Sequence, residues 1–265
     1  DTRTSGWQVT TKDTQTEKSE QTYYDYVINA CGFKSGEIDD MLSVKRDRMV
    51  EFKAAYVAHW PQCHGIWPEI IFHGERGTPQ GMAQLTPYPE GYFQLHGMTQ
   101  DITLFDQGLV ASSSQSAQPK LADKFIEKID KKWPEQLVNH RTLGSIGHIA
   151  QFIPAFGSAE TAAKPLFGAQ QIPGDNPDLR AADVSFAKQN YARTEIVKAS
   201  SALAAADAIL ANLISSELVC QDELGEYVTE HYFPVTLNCN ASAVTERATT
   251  LAEQREYPKA LADNF

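Results

Sequence analysis

Asp25-Tyr26-Val27-Ile28-Asn29-Ala30-Cys31-Gly32 is the stretch on which the fold turns. Its apolar centre, Val27-Ile28, is continuous rather than alternating, as expected for a strand covered on both faces. The strand stops at Cys31-Gly32. Small residues at Ala30 and Gly32 let the backbone approach whatever lies at the strand's end, where a larger side chain would crowd it. Strands ending this way occur in α/β proteins of many kinds, so the neighbouring sequence decides what this one means.

Upstream, Trp7-Gln8-Val9-Thr10-Thr11 alternates and is rich in β-formers. Residues 12–20 are polar and read as a loop, and the second strand is expected over 23–30. Downstream, residues 37–110 read as mostly β. Met49 to Val57 alternates, Glu69 to His73 is a short apolar run, and residues 81–87 and 91–97 form a hairpin across Tyr88-Pro89-Glu90. The serine-rich residues 111–118 read as a mobile surface loop. Leu121, Phe125, Ile129 and Trp133 recur at i+4 and predict an amphipathic helix ending before Pro134. Residues 140–180 are rich in Gly and Pro and are expected to be irregular. The strongest helix is expected from Tyr191 to Leu213, capped by Asn190, with an alanine-rich run after residue 202 that permits close packing. The tail from about 216 is acidic, then β-like over 232–237, then helical from about Ser242.

The 265 residues carry a formal net charge of −11. An acidic surface repels phosphate backbones and anionic lipid, so nucleic acid is not an expected partner. No apolar run reaches the roughly 18–20 residues of a bilayer span. The four cysteines, Cys31, Cys63, Cys220 and Cys239, are scattered, which reads as reduced thiols in a cytoplasmic protein. His59, Cys63, His64 and His73 match no standard zinc spacing, and no metal is expected.

Taken in order, these segments resemble FAD-dependent oxidoreductases of the D-amino-acid-oxidase-like class. The Asp25–Gly32 strand is similar to the one that ends beside the cofactor in that family, and the hairpin from Trp7 resembles the accessory β-segment before it. Gly91-Tyr92-Phe93-Gln94-Leu95-His96-Gly97-Met98-Thr99 looks like the family's aromatic-apolar strand closing on Gly-x-Thr. Pro165 to Gly174 looks like the return to the flavin domain, and the helix expected from Tyr191 resembles the final helix, whose N-terminus faces the flavin pyrimidine. The resemblance covers about residues 5–215. It implies cofactor contacts at Ala30, Cys31, Gly32, Phe167, Gly168, Ala169, Arg193 and Thr194. Two departures stand out. The Gly-x-Gly-x-x-Gly pyrophosphate fingerprint and its ribose-binding acid are absent, so a preceding segment of more than a hundred residues is expected to lie outside this sequence. Val184-Ser185-Phe186 also stands where relatives carry a Gly-rich, His-containing turn.

On the substrate side, His96 at a strand end would orient or deprotonate an amine, the alternative being a hydrogen-bonded strand-end histidine. Arg48 is the candidate to hold a substrate carboxylate in a bidentate fork, with Arg46, Arg141 and Arg180 as further candidates; each one singly reads more readily as a surface ion-pair partner. Tyr56 and Tyr92 would line the cavity, or serve the core.

The expected fold is α+β, as part of an α/β flavoprotein with two dinucleotide-binding domains: a mixed-sheet substrate domain plus incomplete FAD-domain elements. The expected divisions are 1–37, a remnant of the FAD-binding domain; 38–165, the β-rich substrate domain; 166–215, the return to the FAD domain; and 216–265, a C-terminal extension. The expected function is the C-terminal part of an FAD-dependent oxidoreductase of a small amine, amino acid or related substrate, inactive on its own and partnered by its own N-terminal segment. The alternatives are a non-catalytic ligand- or partner-binding subunit whose cofactor site another chain supplies, and an unrelated α+β binding protein.

Overall fold

The computed structural model describes residues 6–179, 183–196, 198–220 and 239–263. In chain order the elements are β1 (Trp7–Lys12), β2 (Ser19–Tyr24), β3 (Val27–Asn29), α1 (Ser35–Met41), β4 (Arg48–His59), β5 (Ile70–Phe72), β6 (Ala83–Pro87), β7 (Tyr92–Gly97) and β8 (Leu109–Ala111). Then come α2 (Asp123–Asp130), α3 (Glu135–Ala150), β9 (Glu160–Pro173), β10 (Asp183–Lys188), β11 (Tyr191–Glu195), α4 (Ala202–Ser215) and α5 (Ala241–Gln254). Helices and mixed sheets together make an α+β fold. Among the described residues no helix is long and apolar enough to cross a membrane.

Two compact units divide the chain. The first comprises Asp1–Val50, Val110–Lys120 and Gln170–Phe233; the second comprises Glu51–Leu109, Leu121–Ala169 and Pro234–Phe265.

In the first unit, β1 and β2 form an antiparallel hairpin in register Trp7↔Tyr24 to Lys12↔Ser19. The strand expected over 23–30 is therefore two: β2 begins at Ser19, inside the expected loop, and β3 spans only Val27–Asn29. β3 pairs in parallel with β11, which pairs antiparallel with β10. Ile28 is 48% exposed, so the continuous apolar run does not mark cover on both faces here. Trp7 Nε1 donates to the Asn190 carbonyl at 2.8 Å and its ring lies 5.8 Å from that of Tyr191, joining hairpin to sheet.

Tyr191–Glu195, expected to begin the strongest helix, is fully buried strand. Asn190 does not cap a helix. It turns the β10–β11 hairpin at φ +55°, a conformation asparagine tolerates better than most residues. The helix itself, α4, starts only at Ala202. Residues 111–118 are held rather than loose. The Asp40 carboxylate accepts from Ser116 Oγ and from the Ala117 amide at 2.6 Å, and Gln118 Nε2 donates to the Phe33 carbonyl at 2.9 Å. Gly36 permits this approach, because a Cβ there would stand 2.5 Å from the Ala117 oxygen.

In the second unit, β5, β6, β7 and β4 form an antiparallel array, with Ile70↔Leu85, Leu85↔Leu95 and Tyr56↔Leu95 in register. β8 and β9 also pair with β4. The hairpin expected over 81–97 is present as β6 and β7. β4 is buried at every position but Lys53 and His59, so its alternating pattern does not give it a solvent face. The helix expected from Leu121 is shorter, because Lys131 is already extended (φ −128°, ψ 177°), yet Phe125 and Trp133 are buried as the spacing requires. They pack with Phe52, Phe105 and Phe167 in one aromatic cluster.

The region expected to be irregular contains α3 and β9. Gly144 and Gly147 weaken the local preference for helix by about 1 kcal/mol each, but Val138, Ile146 and Ile149 on α3 are buried, and that packing decides. The helix expected from about Ser242 is α5, whose Asn240 side chain accepts from the Ser242 amide at 2.9 Å. The β-like stretch over 232–237 lies outside the described residues.

Candidate functional site

The end of β3 is held by Asn29. Its side-chain amide donates to the Ser35 carbonyl and to the Tyr191 hydroxyl, both at 2.8 Å, while its Oδ1 accepts from the Cys31 amide at 3.3 Å. Ala30 and Cys31 are exposed. Gly32 has φ +60°, and a Cβ built on it meets nothing within 4 Å. The turn is thus anchored from inside and open outside, which leaves its backbone accessible.

Behind this turn lies a buried ionic cluster. Tyr191 donates to Asp39 at 2.9 Å, and Asp39 pairs with Arg193. Arg48 Nε lies 3.0 Å from Glu195, and Arg48 Nη2 donates to Gln171 Oε1 at 2.8 Å. Arg46 pairs with Asp183 and Glu195. Arg48 and Arg193 thus face Asp39 and Glu195 in an interior where an uncompensated charge would be expensive, with the Arg46–Asp183 pair at its partly exposed edge. Burial lowers the Arg48 pKa, and Glu195 and Asp39 act against it. Burial raises that of Tyr191, so the phenol stays protonated and donates.

Arg48, the candidate carboxylate fork, therefore has its charge balanced within the first unit. Arg193 is 2% exposed and equally engaged. Thr194 Oγ1 and Arg48 Nη1 are buried without a hydrogen-bond partner among the described residues. Phe167, Gly168 and Ala169 lie on β9 in the second unit, with the Phe167 ring 5.3 Å from Trp133. The structure thus gathers Ala30, Cys31, Gly32, Arg193 and Thr194 in one unit and places Phe167, Gly168 and Ala169 in the other. Arg180 lies outside the described residues.

In the second unit the β6–β7 hairpin has two faces. Ala83, Leu85, Phe93 and Leu95 are buried; Gln84, Thr86, Tyr92, Gln94 and His96 alternate with them and are half-buried. This face carries two groups of hydrogen-bonded polar side chains. Glu69 Oε1 accepts from Gln84 Nε2 at 2.7 Å and from Thr86 Oγ1 at 2.8 Å. Tyr88 donates to Gln94 Oε1 at 3.2 Å, and Gln94 Nε2 lies 2.7 Å from His96 Nε2. Because the Gln94 oxygen accepts from Tyr88, its amide N–H is the donor to His96. That assigns Nε2 of the neutral ring as acceptor. Burial, and then the Glu69 carboxylate, push the Tyr88 phenol up. Tyr92 stacks on His59 at 4.6 Å, and His59 Nε2 lies 3.1 Å from the Glu90 carbonyl oxygen.

Tyr56 belongs to the opposite face. It is fully buried, donates to the Ile102 carbonyl at 2.9 Å and accepts from Arg141 Nε at 2.6 Å. Burial, partly offset by Arg141, pushes its pKa to about 12. Arg141 also donates to the Ile102 and Leu104 carbonyls and covers the Phe105 ring at 3.8 Å. Of the four substrate-side candidates, the structure sets Tyr92 and His96 on one face, Tyr56 on the other and Arg48 in the first unit. Sequence reading missed Glu69, Gln84, Tyr88 and Gln94. The signal for Gln84 and Gln94 was the period-two run of polar residues at 84, 86, 94 and 96 across one hairpin; Glu69 and Tyr88 carried none.

No family model matches the chain, and no curated protein matches it. Among solved structures, CmlS, a flavin-dependent halogenase, is similar at a TM-score of 0.35 and 12% identity, over 80% of this chain and 34% of that one. The chain thus spans about a third of that protein's length, and a likeness this loose carries no inference about cofactor or chemistry.

Proposed function

We propose that this chain forms the substrate side of an FAD-dependent oxidoreductase of the D-amino-acid-oxidase-like class, acting on a small amine or amino acid. The observation that carries the reading is the polar chain Tyr88–Gln94–His96, with Glu69 nearby, on the half-buried face of an otherwise apolar hairpin. A few convergent polar groups over an apolar floor are what orient a small ligand. Glu69 offers a carboxylate to an ammonium group. Gln94, fixed in orientation by Tyr88, holds the His96 ring in one tautomer. Because Gln94 donates to Nε2, the neutral His96 ring carries its proton on Nδ1, and taking a proton from an ammonium at Nε2 requires Gln94 to turn away. A bound flavin would supply the two-electron acceptor. Within the first unit, Asn29 keeps the Ala30-Cys31-Gly32 turn in place. The grip on the pyrophosphate would come from outside these 265 residues.

The test is flavin uptake. The chain alone is expected to purify colourless, and the protein extended by its upstream coding sequence to purify yellow with stoichiometric FAD. An extended protein that binds no flavin would refute the oxidoreductase reading. Amine binding without flavin in that extended protein would favour a binding subunit.

A further inference from the structure

The hairpin end that carries Tyr88 also walls a cavity of about 380 Å3 in the second unit, lined by Cys63, Ile66, Trp67, Pro87, Tyr88 and Phe93 among others. Its size falls within the range of small-molecule sites, roughly 300–1,000 Å3. The lining is aromatic and aliphatic. Trp67 meets Phe93 edge-on at 6.4 Å, and Trp60 backs both, at 5.4 Å from Trp67 and 6.2 Å from Phe93.

The walls are fixed. The Trp60 amide donates to the Gly91 carbonyl at 2.8 Å and the Cys63 amide to the Trp60 carbonyl at 2.9 Å. Glu90 and Gly91 hold positive φ, and a Cβ on Gly91 would stand 2.8 Å from the Trp60 oxygen. Glycine is therefore required where the hairpin end meets the Trp60 backbone. A cavity with pre-set aromatic walls binds a ring without first having to order itself.

Tyr88 belongs to both features. Its residue lines the cavity, and its hydroxyl donates to Gln94, the residue that holds His96. We propose that the Trp67–Phe93 cavity takes an aromatic ring of the substrate, whose polar end then meets Tyr88, the one member of the polar chain that lines the cavity. The substrate class is an arylalkylamine or aromatic amino acid. The substrate assignment rests on the polar face being the substrate site; binding of a ring in the cavity does not.

The experiment uses the 265-residue chain without flavin and compares phenethylamine with ethylamine. Cys63 reports occupancy directly. It is half-buried, burial pushes its thiol up, and it can be followed by iodoacetamide labelling and peptide mass spectrometry against the exposed Cys31. Phenethylamine is expected to slow labelling of Cys63 and not of Cys31; ethylamine is expected to affect neither. Trp67→Ala is expected to weaken phenethylamine about tenfold, and Trp67→Phe, which keeps an aromatic wall, to restore most of that affinity. Equal effects of the two amines on Cys63 overturn the proposal, as does Trp67→Phe binding no better than Trp67→Ala. The Cys63 comparison needs no variant, so it stands even where Trp67→Ala fails to fold. Ring binding without flavin uptake by the extended protein refutes the oxidoreductase reading and leaves the cavity. Flavin uptake without ring selectivity does the reverse.

Discussion

Glu195 is 0% exposed and faces Arg46, Arg48 and Arg193 at once. Replacing it by Gln keeps the volume and removes the charge, leaving buried cations short of one counter-charge. We expect Glu195→Gln to cost about 3–5 kcal/mol, read as a lowered urea midpoint with unchanged slope. Tyr56 makes a prediction in pH. Its folded-state pKa of about 12 stands above the ordinary value of 10.0, so the folded protein holds the phenol proton more tightly than the unfolded chain. That contribution is complete below pH 10 and fades as pH rises from about 10 to about 12. It amounts to about 3 kcal/mol. Stability curves of the native chain and Tyr56→Phe should therefore converge above pH 10; a constant offset across that window would contradict it. Two glycines that look alike at their Cβ should behave oppositely. Neither Gly144 nor Gly32 has an atom within 4 Å of a built Cβ, but only Gly32 has positive φ, +60°. Gly144→Ala should stabilise by about 0.5–1 kcal/mol, whereas Gly32→Ala should destabilise by about 1–2 kcal/mol, a contrast that thermal melts of the two variants would check.

At the scale of elements, periodicity was legible where one face is buried and the other wet. The β6–β7 hairpin alternates in sequence and in burial alike, and its turn residues mark its ends. The same rule misleads for Tyr191–Glu195. Its residues tolerate a helix, and the alanines that follow encourage one, but pairing with β3 and β10 and burial of Arg193 and Glu195 hold it as strand. α3 errs the other way, since two glycines hide a helix that its buried face sustains. The polar chain on β6 and β7 permits an element-level test. Gln94→Leu should leave stability within about 1 kcal/mol, because the position is half-buried. It should also free the His96 ring from its fixed tautomer, seen as an altered imidazole 15N shift pattern in NMR. An unchanged pattern would mean that Gln94 does not set the tautomer.

For the whole molecule, the sequence alone determined the acidic surface, the α+β class, the hairpin that carries Tyr92 and His96, and the Ala30-Cys31-Gly32 turn. Each of these depends on composition or on neighbours a few residues apart. The tertiary structure decided the fate of the charged candidates. Arg48 is far in sequence from Gln171 and Glu195, and nothing local marks an arginine whose charge will be neutralised by a carboxylate nearly 150 residues away. The same holds for Tyr56, whose hydroxyl is bound by Arg141 rather than offered to a ligand, and for Tyr88, which reads as a turn residue until its hydroxyl is seen on Gln94. Short-range pattern fixes which face of a strand is polar. Which polar groups remain available for chemistry depends on long-range pairing, because a buried charge or hydroxyl must find its partner wherever the folded chain puts one.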